Sequence, residues 1–310
     1  MFIFGGPEYD IIIVGGGPAG LTASIYAQRS GKAVLVLEKD AFGGQVASSP
    51  KVENFPGKLA MAGSDFAGDL LKQTMENGAE CAMGEVVRIE KERDVWVVTT
   101  REGETYTASA VILANGVKHR TLDLPGEAAL IGRGVHFCVV CDGNLYAGKK
   151  AAIIGGGNSA LQEAVMLSEL VSELGIVQDL AFLTGEQRLI DALQARSNVR
   201  ILYSTVVTGY QTSGGRLTGL ELKNQVDGSC MEESCDGCFL AVGLLPENEA
   251  FANLAPLDSQ GYYDVGENCL TKTQGIFAAG DCRRKTVRQL TTAAADGAVA
   301  ALAACRYLDN

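Results

Sequence analysis

Residues 11–20 read Ile-Ile-Ile-Val-Gly-Gly-Gly-Pro-Ala-Gly, an apolar strand-like run closed by the turn Gly15-Gly16-Gly17-Pro18-Ala19-Gly20. The pattern returns at 151–160, where Ala151-Ala152-Ile153-Ile154 precedes Gly155-Gly156-Gly157-Asn158-Ser159-Ala160. A glycine-rich turn between a buried strand and a helix lets the backbone approach a pyrophosphate, and the helix N-terminus supplies oriented N–H donors. Between the two turns lies Cys138-Val139-Val140-Cys141-Asp142-Gly143. The order predicts a dinucleotide-binding unit, a redox dithiol and a second dinucleotide-type unit.

Working outward from the first turn, a second strand over 34–37 completes a βαβ unit and brings Glu38 to its end, 23 residues after Gly15. An acid there binds a ribose hydroxyl. Residues 86–89 and 95–100 predict a meander in which Trp96 packs, followed by a buried strand at 110–114. The theme restarts at Lys150, a hairpin turns at Ser213-Gly214-Gly215, and a strand ends in Gly275-Ile276-Phe277-Ala278-Ala279-Gly280-Asp281. A last, Ala-rich helix is expected over Arg288 to Tyr307, and it needs the first unit for its packing. The expected fold is α/β, two Rossmann-like three-layer nucleotide-binding domains with the second inserted into the first. Residues 1–116 and 245–310 form the first, 117–244 the second, and two connections make a natural hinge.

The chain has 310 residues, 47% of them hydrophobic, enough for two cores. Lys and Arg total 26 against 37 Asp and Glu, so a nucleic-acid or anionic-membrane footprint is not expected. Met1-Phe2-Ile3-Phe4-Gly5-Gly6 lacks a basic, apolar leader, and no apolar run is long enough to span a bilayer; a cytoplasmic, soluble protein is expected. Nine cysteines, odd in number and scattered, fit reduced core thiols with one pair set apart rather than a secreted disulfide framework. Cys81, Cys269, Cys282 and Cys305 read as small buried hydrophobes.

The first glycine turn, Gly43-Gly44-Gln45, Val52-Glu53-Asn54-Phe55-Pro56-Gly57, the Cys-x-x-Cys-Asp-Gly segment, and Gly275–Asp281 followed by Arg288-Gln289-Leu290 together resemble the low-molecular-weight thioredoxin reductases. The resemblance spans essentially the whole chain. It implies bound FAD, with Gly15, Gly17, Pro18, Ala19, Gly20, Glu38 and Lys39 around the adenosine half. Gly44, Gln45, Asn54, Val87, Ala114 and Gly116 would line the cofactor. Gly280 and Asp281 would face the ribityl and phosphate region, with Arg288, Gln289 and Leu290 against the flavin. Asn115 departs from the more usual Thr. The resemblance also makes Cys141 the flavin-facing sulfur, Cys138 the sulfur that attacks a thioredoxin-like partner, and Asp142 the proton carrier, in a homodimeric disulfide reductase with no metal. His136 is expected to be a surface or packing residue.

Two other cysteine readings compete. Cys235 and Cys238 could complete a zinc site with Cys138 and Cys141, but the separation fits no zinc ribbon. Cys230, Cys235, Cys238 and Cys269 share a plant-type iron–sulfur spacing, yet the resemblance puts Cys238 and Cys269 in different domains.

The pattern breaks after the second glycine turn. The position equivalent to Glu38 is Gln178, followed by Asp179 and Leu180, where NADPH-dependent relatives carry arginines for the 2′-phosphate. Ending the strand later puts Thr184-Gly185-Glu186 there instead, and Thr184 with Gln187 reads as the capping box of the next helix. Neither arrangement offers a phosphate clamp. NADPH is therefore not the expected donor; a ferredoxin is favoured, steered by Arg283-Arg284-Lys285 or Lys149-Lys150, and NADH is the alternative through Asp179. A flavin sensor without turnover and an FAD-dependent oxidase of small dithiols are the rival functions.

Overall fold

The computed structural model describes residues 8–49 and 52–310, so the N-terminal run Met1 to Gly6 lies outside the described residues. The chain enters β1 (Tyr9–Val14), turns through the glycines into α1 (Pro18–Arg29) and returns along β2 (Val34–Glu38). Helix α2 (Gly63–Glu76) leads to β3 (Glu80–Met83); β4 (Val86–Glu92) and β5 (Val95–Thr100) form the predicted meander, and β6 (Thr105–Leu113), expected only from residue 110, starts earlier and joins it. A short β7 (Val117–His119) leaves this half.

The next half contains β8 (Val135–His136) and β9 (Lys150–Ile154), with α3 (Glu127–Leu130) before them and α4 (Val139–Asp142) between them. After β9 come α5 (Asn158–Ser168), β10 (Glu173–Val177), α6 (Gln187–Gln194) and β11 (Val199–Leu202). An antiparallel layer, β12 (Thr205–Ser213), β13 (Arg216–Asn224) and β14 (Cys230–Ser234), precedes β15 (Gly237–Leu240). Strand β16 (Leu244–Pro246) brings the chain back, and β17 (Ile276–Ala278) and α7 (Leu290–Leu308) finish the first half.

The first sheet runs β3-β2-β1-β6-β5-β4, with β17 also on β6. Strand β6 serves two layers: its first residues pair antiparallel with β5 and its last parallel with β1 and β17. Alternation along β1 sets the layers. Ile11 and Ile13 pack on α1 and the alanine face of α7, whereas Ile12 and Val14 pack under the meander with Trp96 and Val98. The second sheet, β11-β10-β9-β15-β8, is parallel throughout, with helices on one face and the β12–β14 layer on the other. Each half is thus a three-layer Rossmann-like unit, and the second is inserted into the first. The two connecting strands, β7 and β16, pair antiparallel as one ribbon. Among the described residues no helix is long and apolar enough to cross a membrane.

Candidate active site

The first glycine turn has the geometry of a dinucleotide cradle. Gly15 sits at φ +107°, and a Cβ on it would lie 2.4 Å from the Ala114 carbonyl oxygen. A Cβ on Gly20 would lie 1.9 Å from the Gly15 oxygen. Gly17 caps α1, Pro18 occupies the first turn where its missing N–H costs nothing, and Gly44 passes alongside. Glu38 is held by two backbone donors, the Gly16 N–H at 2.7 Å and the Asp40 N–H at 2.8 Å. Its carboxylate is thereby fixed at the end of β2, where a ribose binds in such units. Lys39 is turned to Glu247, which also takes Lys118.

The remaining predicted flavin residues fall into groups joined by hydrogen bonds. Gln45 donates to the Val117 carbonyl in the connecting ribbon, and Asn54 Nδ2 reaches Gln289 Oε1 at 3.2 Å. Gly116 sits at φ +66°, and Val87 stands partly exposed on β4. The last helix begins at Leu290, two residues later than expected, because Gln289 is its cap: Gln289 accepts from the Thr292 N–H while Thr292 Oγ1 accepts from Gln289 N. Arg288 precedes the helix, its guanidinium 4.0 Å from the Tyr262 ring centroid and bonded to the Asp281, Lys285 and Arg283 carbonyls. Asp281, which follows Gly280, carries an Oδ1 that is buried without a hydrogen-bond partner, and burial raises its pKa. A buried acceptor without a hydrogen bond, whose nearest cation is the Lys285 ammonium at 3.8 Å, fits a ligand that brings donors, as the ribityl hydroxyls of FAD do.

Several residues behave differently from the sequence expectation. Arg283-Arg284-Lys285 is no basic patch. Arg283 is 1% exposed and forms a fork with Asp296 at 2.8 Å, Glu267 takes its other edge, and Lys285 also bonds Asp296. Arg284 pairs with Asp264, Lys150 pairs with Glu173, and Lys149 donates to the Leu145 carbonyl. Thr184 does not cap α6. Its hydroxyl bonds the Gly156 carbonyl, and Glu186 is the cap residue, with its N–H donated to Asn158. Asn115 takes up a role the sequence did not show, linking Asn248 at 2.8 Å and Tyr263 across the return of the chain.

Cys138 and Cys141 form a disulfide, Cα to Cα 5.3 Å. Cys138 is the cap of α4, and the Cys141 N–H points at its sulfur at 3.2 Å. Between the cysteines Val139 is buried and Val140 exposed, and Cys138 and Cys141 are themselves half-buried. Phe137, just before it, stacks on His119 of β7 at 4.5 Å between centroids. His136 is neither a surface residue nor plain packing. It is 2% exposed, its Nδ1 lies 3.0 Å from Asp142 Oδ2, and its Nε2 lies 2.7 Å from the Tyr146 hydroxyl. The other Asp142 oxygen has no protein partner. A second carboxyl, Glu163 of α5, accepts from the Val139 backbone N–H, and burial pushes its pKa up to about 7. Cys235 and Cys238 are buried free thiols in the core under β15, and burial raises Cys235 to about 12. Cys269 belongs to the other half, and among the described residues no three His, Cys, Asp or Glu side chains converge as a metal site.

Comparison with known proteins gives this geometry a family. The model of the pyridine nucleotide-disulphide oxidoreductases matches residues 9–297. A thioredoxin reductase of Listeria monocytogenes is 37% identical over 302 residues, 97% of this chain and 94% of that protein. The chain belongs to this family. The crystal structure of a thioredoxin reductase from Streptococcus pyogenes superposes with a TM-score of 0.90 at 34% identity, covering 97% of this chain and 98% of that one. A Lactococcus lactis thioredoxin reductase in its "FR conformation" covers 97% and 99% at 32% identity, with a TM-score of 0.69. The chain is thus an FAD-binding oxidoreductase, and the first glycine turn, Glu38 and Asp281 fit that cofactor.

Proposed function

We propose that this chain is a flavin-dependent thioredoxin reductase that receives its electrons from a ferredoxin and delivers them through Cys138 and Cys141 to a thioredoxin-like protein. The observation that carries the donor assignment is the end of β10. Register makes it the equivalent of β2: Gly15 N–H bonds the Leu37 carbonyl and Gly155 N–H bonds the Val177 carbonyl, each at 2.8 Å. Gln178 therefore stands where Glu38 stands. It is 4% exposed, and its amide is spent on the Phe182 carbonyl. The nearby Arg188 is paired with Glu186 at 2.6 Å. A 2′-phosphate would find Asp179 and Glu186 there, with no arginine fork to hold it, and each missing charge-assisted contact is worth about 1.5–3 kcal/mol. With Arg283 and Lys285 buried, the ferredoxin reading rests on the lost phosphate clamp and not on a basic docking patch.

When bound, FAD supplies the electron pair that opens the disulfide. The chain's own groups then carry the exchange. The Cys138 thiolate attacks one sulfur of the partner disulfide, forming a mixed disulfide and expelling a thiolate, which takes a proton from Asp142. Cys141, as thiolate, then attacks Cys138, re-forms the intramolecular bond and releases the second partner sulfur. To present the pair alternately to flavin and partner, residues 117–244 turn as one body on the β7–β16 ribbon. Support comes from the two solved relatives, which cover this chain equally at similar identity yet superpose with TM-scores of 0.90 and 0.69. NADH is the second reading, because the exposed Asp179 could accept a ribose hydroxyl.

Anaerobic titration of the flavin spectrum with NADPH, NADH and reduced ferredoxin in turn tests the proposal. Stoichiometric bleaching by ferredoxin and none by micromolar NADPH is expected. Rapid bleaching by NADPH overturns it, and NADH bleaching that Asp179→Ala removes selects the second reading.

A further inference from the structure

We infer that His136 and Tyr146 form, with Asp142, a buried proton relay that supplies, through Asp142, the proton given to the departing partner sulfur. This rests on Asp142 being the acid of the dithiol. His136 ends β8 opposite Phe239 of β15, whose ring lies 5.4 Å away, so the imidazole has one orientation, with one nitrogen on Asp142 and the other on Tyr146. A histidine locked between a carboxylate and a phenol is the arrangement that holds a proton for the carboxylate without moving. One Asp142 oxygen is occupied by this bond. The other is buried and has no partner, in the residue adjoining Cys141. The geometry therefore separates a loading oxygen from a discharging one.

The surrounding groups are consistent with a shared proton. Tyr146 is held in its neutral form by burial, with Cys238, Asp142 and Cys235 acting in the same sense and Arg216 opposing. Lys149 lies 5.7 Å from the Tyr146 ring centroid, and Glu163 meets the loop from α5 at Val139. In the step itself, Cys138 forms a bond to one partner sulfur as the partner S–S bond breaks. The electron pair of that bond leaves on the second partner sulfur, and through Asp142 that sulfur takes the one proton the Asp142–His136 pair shares, leaving a carboxylate and a neutral imidazole. The relay regains its proton when Cys141 ionises to close the disulfide, and the second partner sulfur leaves as a thiolate that takes its proton from water. His136 acts through Asp142 and is a positioning residue, not a catalytic one.

The test uses the full-length FAD protein, reduced with dithionite and freed of excess reductant, mixed in single turnover with two disulfides. One is oxidised glutathione, whose alkyl thiolate needs a proton on departure; the other is 5,5′-dithiobis(2-nitrobenzoate), whose aryl thiolate leaves without one. In His136→Ser the glutathione reaction should slow about tenfold or more at pH 8, its alkaline limb should shift to lower pH, and the aryl reaction should hardly change. His136→Asn restores an N–H toward Asp142 but cannot carry a proton, so its limb should stay shifted; retained flavin absorbance and melting temperature show that both variants are folded. An unchanged profile in His136→Ser, an equal loss with both disulfides, or full rescue by His136→Asn overturns the relay. Asp142→Asn separates the two levels: if it leaves the glutathione reaction intact, Asp142 is not the acid and the underlying role assignment fails.

Discussion

Glu163 is an isolated titratable group beneath the redox loop. Burial holds its carboxyl near pH 7 instead of the ordinary 4.5, and one oxygen has no hydrogen-bond partner. A carboxyl whose pKa is raised in the folded state binds its proton more tightly there than in the unfolded chain. It favours the fold below about pH 4.5, and that contribution is lost as pH rises toward 7. Glu163→Gln should therefore be more stable than the parent at pH 8, by about 3 kcal/mol, with the gap closing by pH 4; denaturant unfolding at both pH values measures it. The cysteines give a second contrast at this scale. Cys141→Ser should abolish disulfide reduction with FAD retained, whereas Cys235→Ser and Cys238→Ser should leave turnover within about twofold, because burial keeps those thiols protonated and out of reach. Turnover with a thioredoxin disulfide, normalised to bound flavin, checks both, and an equal loss in the second pair would reassign the redox site.

At the scale of elements, the β1–α1 turn contains glycines required for two different reasons. A Cβ on Gly20 would strike the Gly15 carbonyl at 1.9 Å, so Gly20→Ala should unseat α1 from β1 and lower stability even without cofactor. A Cβ on Gly17 meets no protein atom closer than 4.0 Å, and Gly17 has an ordinary extended backbone. Gly17→Ala should leave the melting temperature of flavin-free protein unchanged while weakening FAD binding about tenfold or more, equivalent to about 1.4 kcal/mol. Apoprotein melting and FAD titration separate these two effects; a Gly17→Ala protein that binds FAD normally would show that this turn does not face the pyrophosphate.

Over the whole molecule, the buried apolar residues form clusters that do not mix the halves. Those around β1 and β6 draw on the chain ends, and those around β9 and β15 lie between residues 122 and 242. The ribbon that joins them puts Val117 opposite Pro246. Removing residues 118–245 and joining the cut ends with a short Gly-Ser turn should thus yield a protein that still binds one FAD, since neither first-half core loses a member. Flavin absorbance after gel filtration is the measurement. A colourless product would mean that the inserted half holds the cofactor or supports the first core.

The local order of this chain was legible in its sequence because it rests on local rules. Apolar runs closed by glycine turns, Glu38 at the end of the second strand and a hairpin at Gly214-Gly215 each follow from backbone sterics and side-chain period, and the strands form as those rules require. The Cys-x-x-Cys pair was equally visible, since three residues of spacing already bring two sulfurs within bonding reach. What surrounds these features was not visible. Arg283 and Lys285 looked like surface charge until the fold placed Asp296, from the last helix, against them. His136 looked like packing until the turn after Asp142 carried Tyr146 back over it. Thr184 had the spacing of a cap, yet the crossing above the glycine turn offered its hydroxyl a closer acceptor. In each case the deciding partner is set by how elements cross, and burial makes an unpaired polar group costly enough that the partner found in space overrides the one suggested by sequence.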